Sequence, residues 1–163
     1  MVKKLLMGAT TLLLFSGCAQ NTPGVGDNVL DGDTVSVNDG EYASDGTGYN
    51  SSSDGFVSVY FDFDGYSIAP SQEARIYQNV KRFQSLEGSR IKIEGNCDEF
   101  GTDEYNYALG LKRAKAVKDA LADQGVNTSN TVMVSFGESN PVCSENTDEC
   151  YARNRRVDLK LVK

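Results

Sequence analysis

Residues 94–113 read EGNCDEFGTDEYNYALGLKR, and the interpretation of this run decides the fold. It opens as the end of a strand, turns through Gly101 and continues as a helix with Thr102 as N-cap. At about 100° per residue, with Leu109 at zero, Ala116 and Ala120 fall within about 20° of it. Tyr105, Val117 and Leu121 complete an apolar arc. Arg113 falls inside that arc at about 40°, with Asn106 nearby at about 60°. An unpaired buried guanidinium is expensive, so Arg113 requires a carboxylate, supplied by the protein or by a ligand. Asp98 and Glu99 lie just upstream, beside the positive end of the same helix. Acid, arginine and helix start together suit a zwitterion; an internal Arg113–Asp98 salt bridge is the plainer alternative.

Moving outward, Val57, Val59, Phe61 and Phe63 alternate with Ser58, Tyr60, Asp62 and Asp64, as in a half-buried strand. Pro70 and Ser71 open a helix with Ile76, Val80 and Phe83 on one face and Gly88 as its stop. Ile91 and Ile93 mark a second strand; the central helix runs to Gln124, with Gly125 as its stop. Val132, Val134 and Phe136 make a third strand, and Val157, Leu159 and Leu161 a last one. Strands joined through helices favour parallel pairing, with helices on one face of the sheet. The other face carries Ser58, Tyr60, Lys92, Glu94, Ser135, Asp158 and Lys160, so it is expected to meet solvent. The fold class is a two-layer α/β sandwich.

The N-terminal third is different. Residues 1–17, MVKKLLMGATTLLLFSG, read as a secretory signal too short to span a bilayer, and LFSGC resembles a bacterial lipobox with Cys18 as the lipidated residue. Residues 18–55 read as a disordered tether: between Ala19 and Asp54 there are seven acids and no basic residue. Those 36 residues have a coil dimension of about 33 Å. Residues 56–163 form the folded domain.

The formal charge is −7, and removing the signal with Lys3 and Lys4 leaves 14 basic against 23 acidic residues, or −9. This balance argues against a nucleic-acid partner. The chain has no histidine, which excludes Ser-His-Asp, Cys-His and His-ligated metal chemistry, and no cofactor is implied. Three cysteines follow Cys18. Cys143 and Cys150 both lie in the loop before the last strand and are the favoured disulfide, leaving Cys97 pointing at the core as a small hydrophobe.

Four stretches carry a family resemblance: YFDFD at 60–64, the run 94–117, FGESNP at 136–141 and Asn154-Arg155-Arg156-Val157. In these, residues 57–163 resemble the OmpA-like peptidoglycan-binding domain. Asn96 departs from the His of many relatives and Cys97 from a common Thr. The resemblance implies a β-α-β-α-β-β domain with a mixed four-stranded sheet. It also implies a site for the diaminopimelate of the peptidoglycan stem peptide, built from Asp64, Asn96, Asp98, Asn106, Leu109, Arg113, Arg155 and Arg156. Asp98 and Arg113 match the family's principal pair. Strand parity leaves open which of Arg155 and Arg156 reaches the site; Arg155 shares parity with core-facing Val157 and is expected to lean toward the helices. In its lipoprotein form the family implies attachment of the outer membrane to peptidoglycan, facing the periplasm, with a TolB-like periplasmic protein as partner in a Tol-type envelope system. Clustered acids such as Asp98 and Glu99 leave a glycoside hydrolase as the alternative. Acids at a helix start are ordinary dipole-complementing residues, so the expectation is a binding protein and not an enzyme.

Overall fold

The computed structural model describes residues 48–86 and 88–163; the signal, Cys18 and most of the tether lie outside the described residues. The elements are β1 (Val59–Tyr60), α1 (Glu73–Gln84), β2 (Ile91–Asn96), α2 (Asp103–Asp123), β3 (Thr131–Gly137), α3 (Asp148–Asn154) and β4 (Arg156–Leu161). The sheet order is β1-β4-β2-β3; β2 and β3 run parallel, and β4 is antiparallel to both β1 and β2. The last strand therefore inserts between the first two, which makes the sheet mixed. Ile76, Val80 and Phe83 of α1, Val117 and Leu121 of α2, and Ile91, Ile93, Val157 and Leu159 of the sheet form one apolar layer.

The caps follow the residue chemistry. Thr102 accepts the Tyr105 N–H at 3.2 Å and starts α2, and Gly125, at φ +83°, follows its end. The buried side of α2 is rotated from the arc read in the sequence. It carries Asn106, Gly110, Arg113, Ala114, Val117 and Leu121, with Leu109 at its edge, whereas Tyr105 is exposed. The cause is close approach: a Cβ on Gly95 of β2 would overlap the Gly110 carbonyl, so the helix seats its smallest residue on the sheet.

Three expectations are corrected. Phe63 is not a core residue of a long β1: the strand is two residues long and Phe63 is 64% exposed, while Phe56 joins the core. The faces of β3 are reversed, because register puts Met133 beside Ile93 and Ser135 beside Gly95, on the helix side. Val134 pairs with Glu94 on the opposite face. A one-residue shift exchanges every side chain between faces.

The third correction concerns the polar face. Ser58, Glu94 and Asp158 are buried rather than solvent-facing, as is Arg156 beside Asp158, and residues assigned by composition to the tether cover Ser58 and Asp158. The Ser51 and Ser58 hydroxyls donate to Asp158 Oδ1 at 2.6 and 2.7 Å, and Arg156 Nε donates to Asp158 Oδ2 at 3.0 Å. The Ser53 N–H reaches the Leu159 carbonyl at 3.2 Å, and Leu161 N–H reaches Asp54 Oδ2 at 3.0 Å. Residues 48–55 thus belong to the folded unit. Glu94 sits between Lys92 at 2.6 Å and Lys160 at 2.8 Å. Burial pushes its carboxyl up, but the hydrogen bonds from Lys160 and Lys92 outweigh burial and hold it below the usual carboxylate range.

Candidate functional site

The C-terminal end of β2, the start of α2, the 61–66 turn and Arg155 meet at one end of the sheet. Arg113 is the floor of this rim and is fully buried. Its Nε donates to the Gly65 carbonyl at 2.8 Å, Nη2 to the Asp62 carbonyl at 3.2 Å and Nη1 to the Asn96 carbonyl at 3.0 Å. Nη1 also lies 3.4 Å from Cys97 Sγ, and the guanidinium faces the Phe61 ring at 5.4 Å. Burial pulls its pKa down from the ordinary arginine value. Among the described residues it contacts no carboxylate, so the Arg113–Asp98 pair does not form. Backbone carbonyls satisfy the N–H groups, and Asp98 and Asp64 act on the charge from beyond contact distance.

Asp98 goes to Arg155 instead. Arg155 Nη1 and Asp98 Oδ2 are 2.9 Å apart, both largely buried, and Arg155 Nε donates to the Phe61 carbonyl at 3.1 Å. Arg156, one residue on, faces the opposite side of the sheet toward Asp158, so it stands apart from this rim. The Asp62–Gly65 turn, closed by the Gly65 N–H on the Asp62 carbonyl at 3.0 Å, presents Asp64 at φ +56°. Aspartate tolerates this left-handed conformation better than most residues. Arg113 grips both ends of the turn and so fixes where Asp64 stands.

Asn106, in the first turn of α2, donates to the Glu138 carboxylate and, at 3.4 Å, to the Asp98 carbonyl. Its Oδ1 is buried without a hydrogen-bond partner among the described residues. Asn96 is buried and structural: it donates to the Glu94 carbonyl at 3.1 Å and accepts from Asn140 at 3.1 Å. Leu109 is buried behind the rim. Cys97 is a buried free thiol whose Sγ donates to the Asn106 carbonyl at 3.3 Å; burial pushes its pKa up, which keeps it protonated and inert. Cys143 and Cys150 are disulfide-bonded, with Cα atoms 5.3 Å apart.

Several residues at the rim escaped the sequence reading. Tyr105, counted in the apolar arc, donates its hydroxyl to Asp64. Glu138, inside FGESNP, holds the Asn106 amide. Phe63, Phe100 and Tyr151 form an edge-to-face row, with centroid spacings of 5.9 and 4.8 Å. The Tyr151 hydroxyl donates to Glu99 at 3.3 Å. An Asp-Phe-Asp and an Asp-Glu-Phe segment flanking one turn were the available signal for an aromatic rim.

The OmpA family pattern matches residues 60–155. The "Peptidoglycan-associated lipoprotein" of Pseudomonas putida is 36% identical over 157 residues, covering 93% of this chain and 92% of its own. That of Haemophilus influenzae is 38% identical over 104 residues, covering 64% of this chain and 68% of its own. Among solved structures, the peptidoglycan-associated lipoprotein from Burkholderia pseudomallei matches with a TM-score of 0.61 and 44% identity, covering 64% of this chain and 89% of that one. The C-terminal domain of Helicobacter pylori MotB, at 24% identity and a TM-score of 0.61, shares the fold. The chain belongs to the OmpA family and, within it, to the peptidoglycan-associated lipoproteins.

Proposed function

We propose that the rim binds the free zwitterionic end of diaminopimelate in the peptidoglycan stem peptide, and that the protein thereby fastens a membrane to the cell wall. The observation that carries this is Arg113: a fully buried guanidinium with no carboxylate contact among the described residues, beside an exposed Asp64. A guanidinium without a contact carboxylate and the start of α2 favour a ligand carboxylate above the Asp62–Gly65 turn. Asp64, Asp98 and the unpartnered Asn106 Oδ1 are the acceptors this reading assigns to the ammonium group. A zwitterion matches this arrangement; a simple anion or cation satisfies half of it.

The names of the relatives support attachment to peptidoglycan. Lipidation at Cys18, an outer-membrane location facing the periplasm and a TolB-like partner within a Tol-type system complete the reading. Each has its own check: mass spectrometry of the N-terminus, membrane fractionation and in-cell cross-linking.

The binding test is co-sedimentation with purified sacculi, comparing the wild type with Asp98→Asn and Asp64→Asn. Binding is expected to fall at least tenfold in each, and free diaminopimelate, but not lysine, is expected to compete. Unchanged sedimentation of both variants at native circular dichroism removes the assignment. Release of soluble muropeptides by the wild type would instead establish a hydrolase.

A further inference from the structure

Next to the rim lies a cavity of about 590 Å³. It shares Phe61, Asp62 and Arg155 with the rim, and its far side is made by Tyr49, Tyr60 and Arg153. Its lining carries two arginines, Arg153 and Arg155, and two carboxylates, Asp62 and Glu149. Arg155 is neutralised by Asp98, but Arg153 is not neutralised by any ion pair among the described residues. The Arg153 guanidinium stacks at 3.9 Å on the Tyr49 ring, and its one hydrogen bond among the described residues is Nη1 to Cys143 Sγ at 3.6 Å. Its Nε is buried with no acceptor. Glu149, four residues earlier on α3, also lines the cavity and accepts the Tyr49 hydroxyl at 2.9 Å.

A guanidinium pre-oriented on an aromatic ring, with its N–H fork nearly unused, is prepared for a carboxylate or similar planar anion. Tyr49 belongs to the segment that covers the sheet, so the folded end of the tether builds one wall of this cavity.

We infer that this cavity is a second subsite of the same binding surface, in which Arg153 takes the free α-carboxylate of the D-glutamate preceding diaminopimelate in the stem peptide. The inference rests on the diaminopimelate reading. Position supports it: the cavity shares Phe61, Asp62 and Arg155 with the rim, so it adjoins the place where the zwitterion is held in that reading. Tyr49 and Tyr60 cover the peptide's apolar flank, and Arg153 reads the charge. The subsite thereby distinguishes D-glutamate from its α-amide, isoglutamine, a difference of one charge.

The test is titration calorimetry of the tether-containing lipid-free protein, residues 19–163, with three ligands: free diaminopimelate, L-Ala-γ-D-Glu-diaminopimelate and its isoglutamine counterpart. The wild type is expected to bind the tripeptide roughly tenfold or more tightly than the amidated form, from the loss of a charge-assisted pair. Arg153→Gln is expected to abolish that preference while leaving the affinity for free diaminopimelate unchanged. Tyr49→Ala, which removes the ring holding Arg153, is expected to reduce it. Equal wild-type affinities for the two tripeptides overturn the subsite even without a mutant. So does an Arg153→Gln variant that keeps the preference, or that weakens all three ligands alike. Failure of the wild type to bind any of the three overturns the diaminopimelate reading itself, and the two failures are thereby told apart.

Discussion

Arg113 and Arg156 are both fully buried, yet they occupy opposite sides of the sheet in opposite electrostatic states. Arg156 meets Asp158, backed by Ser51 and Ser58, and its charge is cancelled within the protein. Arg113 meets three backbone carbonyls and the Cys97 sulfur, so its hydrogen bonds are made without a contact carboxylate among the described residues. The first arrangement holds a segment against the sheet. The second leaves a guanidinium without a contact carboxylate under a rim that carries Asp64 and Asp98. A buried arginine is informative only together with what sits opposite it.

The sharpest way to break this comparison is to delete each cation. Arg156→Ala strands the buried Asp158 carboxylate and is expected to cost about 3–5 kcal/mol in urea unfolding, with sacculus binding per folded molecule unchanged. Arg113→Ala strands carbonyls instead of a charge and is expected to cost about 3 kcal/mol, while binding is lost outright. If Arg156→Ala loses binding at native stability, the division between the two sides fails.

A truncation beginning at residue 56 removes the Ser51, Ser53 and Asp54 bonds. It is expected to lose about 2 kcal/mol relative to one beginning at residue 48, read as a lower urea midpoint. Reducing the Cys143–Cys150 bond is expected to cost up to about 2 kcal/mol by chain entropy, since the loop is short.

The smallest effect is a pH dependence. Glu94 has its folded pKa depressed by Lys160 and Lys92. Its contribution is therefore present above the unfolded glutamate pKa and is lost as pH falls through the lower folded value. Glu94→Gln is expected to flatten the acid limb of the stability curve; an unaltered limb removes Glu94 as its source.

Much of the fold was legible because its signals are local. Thr102 and Gly125 bracket α2, and Val157 and Leu159 alternate inward, because caps and parity are properties of neighbouring residues. What was illegible depends on distant partners. The face of β3 is decided by its register against β2, and no period within TVMVSFG contains that register. Tether composition describes residues 48–55 correctly as polar, but their polarity is spent on a buried Asp158 more than a hundred residues away. At the site, the positions of Asp98 and Arg113 on one rim followed from spacing. Their partners did not, because Arg155 arrives from the junction of α3 and β4 and takes the acid first.

The clasp of residues 48–55 has a mechanical consequence. The 51–54 segment is bonded along β4, and β4 lies inside the sheet between β1 and β2. Any pull along the N-terminal chain is therefore delivered to an interior strand, through several bonds loaded side by side. A single edge residue does not bear it. The segment is spliced into the weave of the domain, so the clasp meets the load before the candidate rim does.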